Sequence, residues 1–303
     1  MGRIESVFDN YTSRFLSEND NKAGYADKYN HSYFVMQESL LVDQTFTQYN
    51  TSFQELLKIQ SLYHDIGRFL QLKLVGSFSD YALSQRLTGI CDHGDLGSTI
   101  MHDELLRELF PKDNIFDEEI AKVIRLHTKD NKGLLKFIKR ELIERFKNYD
   151  LRDLFVSQKS GQERTALTAV NTAIIQDADR LDIFRKIVNR IWVPNVSHEN
   201  IHEQVWSWFY EGNLPSINEL KKMGYWNANV GHLIRMNFIN QMYLVPELQK
   251  IRDEQLIQRV YTVSGNEIVK PAYDFAIEKL DSLIDESEDK ILVKKRYTGE
   301  SIG

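Results

Sequence analysis

Leu62-Tyr63-His64-Asp65-Ile66-Gly67-Arg68 closes the most apolar run in the first third of the chain. From about Ser52 to Ile66, the residues Phe53, Leu56, Leu57, Ile59, Leu62, Tyr63 and Ile66 form a wide apolar stripe. That is the pattern of a central helix buried on most of its circumference. Gly67 reads as its stop. A histidine and an aspartate side by side at the end of such a helix are expected inside the protein. Burying both without a metal or polar partners costs several kcal/mol.

The flanking sequence reads as further helices. The 303 residues hold only 15 glycines and 5 prolines, against a usual combined share of about 12%. The first proline is Pro111. So few turn formers favour long helices over many short strands. Residues 1–30 are polar, with an amphipathic start. A helix is predicted from near His31, with Phe34, Val35, Leu40 and Leu41 on its apolar face. Residues 76–92 read as a loop. Further helices are predicted from about Leu96 to Leu109 and from about Asp117 to His127. In the second, Ile120, Val123, Ile124 and His127 share one face. A basic amphipathic helix over 134–146 carries Lys136, Lys139, Arg140 and Arg145. A polar linker, Ser157 to Glu163, leads to a long helix from Ala166 to Val188. Beyond Arg190 the chain is punctuated by Pro194, Pro215, Pro246 and Pro271 and holds Trp192, Trp206, Trp208 and Trp226. The expected class is all-α, with a helical domain over residues 1–190 and a helical C-terminal extension over 191–303.

Four more histidine or aspartate patterns accompany His64-Asp65. His31 opens a helix, and His93 enters one in His93-Gly94-Asp95-Leu96-Gly97. His127 ends one, and Asp177-Ala178-Asp179-Arg180-Leu181-Asp182 lies inside the long helix. Histidine with carboxylate suits Mn²⁺, Fe²⁺, Co²⁺ or Zn²⁺. Ligands contributed singly by several helices are how a bundle builds an internal site. On one helix Asp177 and Asp179 point about 200° apart, so both cannot enter one site. His102-Asp103 is a second adjacent pair, but no Gly-Arg follows it, and it reads as surface.

The early His31, the pair His64-Asp65 within Leu62–Arg68, and the distant Asp179 within Asp177–Leu181 together resemble the HD-domain metal-dependent phosphohydrolase superfamily. The resemblance spans about residues 28–185. His93 and His127 resemble the additional histidines of its branch with binuclear sites. The resemblance implies an HD-domain helical bundle in which His31, His64, Asp65 and Asp179 hold one divalent ion. Asp65 then bridges to a second ion completed by His93 and His127. The family's Ala-Asp-x-Leu pattern selects Asp179, leaving Asp182, about 60° away, as a supporting group. The implied cofactors are two divalent ions drawn from Mn, Fe, Mg, Co or Zn. The implied reaction is hydrolysis of a small phosphoester, a nucleotide, by metal-activated hydroxide. His64, Asp65 and Arg68 stand at the chemistry. Phosphate needs cations, and Arg68, Lys28, Arg125 and Lys129 are the candidates by position, with Phe78, Ser79 and Asp80 near the mouth. Two other functions fit the same ligand types. One is a diiron oxygenase similar to myo-inositol oxygenase. The other is a non-catalytic module that binds a nucleotide and regulates. No Gly-Tyr-Pro motif follows the His-Asp region, which disfavours the cyclic dinucleotide phosphodiesterase branch.

The net charge of −6 gives no footprint for duplex nucleic acid. No apolar run reaches 18 residues, so no membrane span is expected. One cysteine, Cys91, excludes an internal disulfide and fits a reducing, cytoplasmic setting.

Overall fold

The computed structural model describes residues 2–18, 20–46, 51–112, 114, 116–129 and 161–288. Among these every regular element is helical and there is no strand. The basic helix expected over 134–146 lies outside the described residues, as does the first part of the linker. The chain forms two compact units, Met1–Ala178 and Asp179–Gly303.

In the first unit, α1 (Arg3–Leu16) buries Phe8, Tyr11 and Phe15. The Phe8 ring meets Tyr63 edge-on at 5.2 Å, and Tyr25 stacks on Phe69 at 6.4 Å. Asp9 Oδ1 accepts from the hydroxyls of Tyr29 and Tyr33 at 2.9 and 2.7 Å. These contacts pin α1 to α2 (Lys22–Phe46), a 25-residue helix. His31 therefore lies mid-helix rather than at a helix start. The helix formers of 22–30 extend it backwards without an apolar stripe to announce them. Next come α3 (Thr51–Tyr63) and α4 (Ile66–Val75), separated by the two residues His64 and Asp65.

That break corrects the reading of Gly67. It does not stop α3 but sits in the first turn of α4. A Cβ there would strike the His93 carbonyl and lie 2.7 Å from the Gly97 nitrogen. The missing side chain is what lets α4 press backbone to backbone on α6 (His93–Ile100). The supposed loop 76–92 contains α5 (Asp80–Arg86), whose N-cap Ser79 accepts from the Ala82 N–H. α6 begins at His93 because Asp92 caps it, accepting from the Asp95 N–H at 3.0 Å. It runs through a π-helical turn, Met101–Leu105, into α7 (Leu106–Leu109). His102 and Asp103 lie exposed on that turn, as expected of surface residues.

The unit closes with α8 (Asp117–Leu126) and the long α9 (Gly161–Val188), which includes the last linker residues. Gln60 ties three helices from inside. Its Nε2 donates to the Glu119 carbonyl at 3.2 Å, and its Oε1 accepts from Asn171 at 2.6 Å.

In the second unit, Leu181, Phe184 and Ile187 from the end of α9 pack with Val205 and Phe209 of α10 (Glu203–Tyr210). The same core takes Leu220 of α11 (Ile217–Lys222) and Val230, Leu233 and Met236 of α12 (Ala228–Met236). Short α13 (Phe238–Gln241) leads to α14 (Val245–Asp253), α15 (Leu256–Ser264) and α16 (Lys270–Glu288). Trp206, Trp208 and Trp226 pack partly buried against this core.

His232 is wholly buried there, with Nε2 3.1 Å from the Asn195 carbonyl and Nδ1 2.7 Å from the Tyr273 hydroxyl. A carbonyl only accepts, so Nε2 carries the proton and Nδ1 accepts from Tyr273. Burial, helped by nearby Arg235, pushes the imidazole pKa down to about 4.

Two outcomes are expected. Gly67→Ala should destabilise the protein by about 2–3 kcal/mol in urea unfolding, as overpacking against backbone does. A cost under 0.5 kcal/mol would show that α4 and α6 do not need the close approach. For His232, the unfolded chain protonates near pH 6.5 and the folded chain near 4. Unfolding therefore takes up a proton in that window, and stability falls as pH falls from 6.5 to 4, by about 3 kcal/mol. His232→Gln should flatten that slope in unfolding curves taken at pH 7 and 4.5.

Candidate metal centre

Five of the six expected metal ligands, His31, His64, Asp65, His93 and His127, converge inside the first unit, and all are buried. α2 supplies His31 from its middle. The break between α3 and α4 supplies His64 and Asp65. α6 supplies His93 as its first residue, and His127 follows the last turn of α8. Helix ends can turn a polar side chain inward without burying a whole polar turn. Asp65 shows this directly. It occupies the N-cap of α4, yet its carboxylate makes no capping bond. It faces the imidazoles instead.

The two oxygens of Asp65 divide the histidines into pairs. Oδ2 lies 3.5 Å from His31 Nε2 and 3.9 Å from His64 Nε2. Oδ1 lies 3.2 Å from His93 Nε2 and 3.5 Å from His127 Nε2. Within each pair the Nε2 atoms stand 3.2 Å apart. Each triad of one carboxylate oxygen and two imidazoles fits within 4.8 Å, and Asp65 belongs to both.

Hydrogen bonds on the far side of the rings set the chemistry. His64 Nδ1 is 2.7 Å from the Ser61 carbonyl, and His127 Nδ1 is 2.6 Å from the Ile124 carbonyl. His93 Nδ1 is 3.0 Å from Asp80 Oδ1. Each of these nitrogens must donate, so a neutral ring presents a lone pair at Nε2. Lone pairs then point at one another and at a carboxylate in a buried space. Such a set repels itself unless a cation lies between its members. The donors are nitrogen and oxygen, three per half, which fits borderline divalent ions.

Burial would raise the pKa of Asp65. The Lys28 ammonium outweighs it and holds the carboxyl well below its ordinary range. Lys28 Nζ lies 2.7 Å from Asp65 Oδ2. Arg68 Nε lies 3.7 Å from Asp65 Oδ1 and has no hydrogen-bond partner, while Nη1 donates to the Phe78 carbonyl at 2.8 Å and to Asp80 at 3.2 Å. The Phe78 ring lies under both cations, 5.3 Å from Lys28 Nζ and 5.8 Å from the Arg68 guanidinium carbon.

Arg125 and Lys129 sit differently. Arg125 donates to Asp95 at 2.9 Å, and Lys129 to Asp92 at 2.6 Å and Asp95 at 3.3 Å. They clamp the start of α6 to the end of α8, the two points that carry His93 and His127. Gln176 adds a third tie, donating from α9 to the carbonyls of His127 at 2.8 Å and Lys129 at 3.2 Å. Along α9, Asp177 is fully buried and Asp179 half-buried. Asp182 pairs with Lys186 at 3.2 Å, and Arg180 donates to the Gln241 carbonyl at 3.1 Å.

Asp80 is the supporting residue that sequence reading assigned to the wrong task. Expected at a loop mouth, it holds the Nδ1 and the backbone N–H of His93 and also takes Arg68 and Gln71. Burial would raise its pKa, but the bond and charge of His93, with Arg68, bring it down to about 2. A Ser-Asp step at the head of a short helix carries no local sign of this role.

The model of the HD domain matches residues 29–183. The chain belongs to the HD-domain family, whose members are typically metal-dependent phosphohydrolases. No curated protein and no solved structure matches the chain. No helix among the described residues is long and apolar enough to cross a membrane.

Asp80→Asn removes the anion that fixes the His93 tautomer. Zinc or manganese titration calorimetry should show the affinity of the half holding His93 and His127 falling about 10–100-fold, with the other half little changed. Equal loss in both halves would mean that Asp80 acts on the fold as a whole.

Proposed function

We propose that the protein is a metal-dependent phosphohydrolase that cleaves a small phosphoester, a nucleotide, at a binuclear centre. The observation that carries this reading is the position of Asp65, with one oxygen turned to each pair of imidazoles. His31, His64, Asp65 and Asp179 hold one ion, and Asp65, His93 and His127 the other. Asp179 lies on α9, three residues after Gln176, whose side chain donates to the His127 carbonyl. When bound, two divalent ions supply a deprotonated water near neutral pH and positive charge for the phosphoryl oxygens.

The protein's own groups do the rest. Far-side hydrogen bonds keep the His64, His93 and His127 rings aimed inward. Lys28 and Arg68, both beside Asp65, meet the substrate phosphate, and Phe78 between them lines the approach. Arg125 and Lys129 serve the substrate from the rim while holding α6 against α8. Mn, Fe, Co, Zn or Mg meets the donor set. The same proposal gives residues 1–190 the hydrolase role, 191–303 the role of a helical extension, and the protein a cytoplasmic setting.

The test is phosphate release from a panel of nucleoside mono-, di- and triphosphates and simple phosphomonoesters, using metal-replete protein. Turnover with Mn²⁺ or Mg²⁺ is expected. His64→Ala and Asp65→Ala should each lower it by about a thousandfold. Asp179→Asn should lower turnover and bound metal together, and Asp177→Asn neither. No turnover on any substrate would sink the reading. Oxygen consumption with two irons per chain would replace it with oxygenase chemistry.

A further inference from the structure

We propose that the C-terminal unit carries a second, metal-independent binding site for a phosphate group, centred on Arg235. Three other partly buried cations of this unit each face an acid. Arg185 pairs with Glu254, Lys186 with Asp182 at 3.2 Å, and Lys250 with Glu247 at 2.9 Å. Arg235 does not. Among the described residues it makes no ion pair or hydrogen bond, and its Nη1 is shut from solvent with no partner. The ionisable groups beside it are His232 and Tyr273, bonded to each other and both neutral at pH 7. Its pKa falls to about 10 for the same reason, since burial strips its water and no anion replaces it. A half-buried guanidinium without an anion carries a desolvation cost that nothing in the fold offsets fully.

What surrounds the group suits a ligand. The Trp192 ring covers one side of the guanidinium at 4.5 Å and is itself 44% exposed, and Arg235 is only partly buried. That contact offsets only a fraction of the desolvation. Nη1 lies against Gly231 on the preceding turn of α12, 3.4 Å from where a Cβ would stand, with the edge of Trp226 3.5 Å from the same point. A second cation, the exposed Lys221, has its Nζ 5.3 Å from the ring centre of the same Trp226. Trp192 belongs to a segment held down at Asn195 by His232 and at Ser197 by Asn229 and Asn266. The cover therefore has a fixed base beside the arginine. A guanidinium fork matches a phosphate or carboxylate edge, and a second nearby cation favours the more highly charged phosphate.

The test uses the full-length protein and inorganic phosphate as probe. Asp65→Asn serves as background, because phosphate also has affinity for a loaded metal centre. In Asp65→Asn, about 20 mM phosphate should raise Tm by about 2–4 °C and change tryptophan emission. Adding Arg235→Met should abolish both responses. In the absence of phosphate, Arg235→Met should melt no lower than its parent, because the unpaired charge is gone. Trp192→Phe should remove most of the emission change and keep the Tm shift. Acetate at equal ionic strength should give less than a third of the shift. A full phosphate response in Arg235→Met, or an equal response to acetate, would overturn the proposal. So would a large Tm loss in Arg235→Met without phosphate, which would make Arg235 a packing residue. The site stands or falls apart from the metal centre, since the deciding arms carry Asp65→Asn.

Discussion

The carboxylate of Asp65, set between four imidazole nitrogens, is the interaction on which the first unit is organised. Two oxygens serve two histidine pairs, and each pair comes from helices far apart in sequence. Neither pair would hold its geometry without help. The break between α3 and α4 frees His64 and Asp65 from helical direction. Gly67 then lets α4 touch the start of α6, which brings His93 beside Asp65. Asp92 and Asp95 bind Arg125 and Lys129 and hold His127 opposite. Gln176 fixes α9 to the same corner.

This arrangement ties stability to ligand binding. Inward lone pairs and a carboxylate kept ionised are costly neighbours in a buried space, and a divalent ion turns each into a bond. Metal binding is therefore expected to stabilise the folded chain. The surrounding cations fall into two groups by geometry. Lys28 and Arg68 stand beside Asp65 itself, whereas Arg125 and Lys129 neutralise the acids that cap α6. The second two hold the start of α6 against the end of α8.

Much of this was legible in the residues, and the exceptions have physical causes. The helical class followed from scarce Gly and Pro, and His64-Asp65 stood out because it ends an apolar stripe. His127 was readable as a buried residue from the apolar stripe it ends, and as a site residue through the family resemblance. His31 was read as a helix start because residues 22–30 lack an apolar rhythm, although Tyr25 on Phe69 and Tyr29 on Asp9 pack this part of α2 into the unit. Gly67 was read as a stop because sequence does not tell a glycine that ends a helix from one that lets two helices touch. Asp80 was hidden for a similar reason. Its partner is His93, 13 residues on, and only packing brings the two together. Arg235 offered no pattern at all, since the missing acid is a property of three-dimensional surroundings.

Anomalous diffraction from crystals grown with Mn²⁺ tests the shared carboxylate most directly. Two manganese peaks are expected about 3.5–4 Å apart, one on each oxygen of Asp65, the first against His31 and His64 and the second against His93 and His127. A single peak, or two peaks not bridged by Asp65, would contradict the binuclear arrangement.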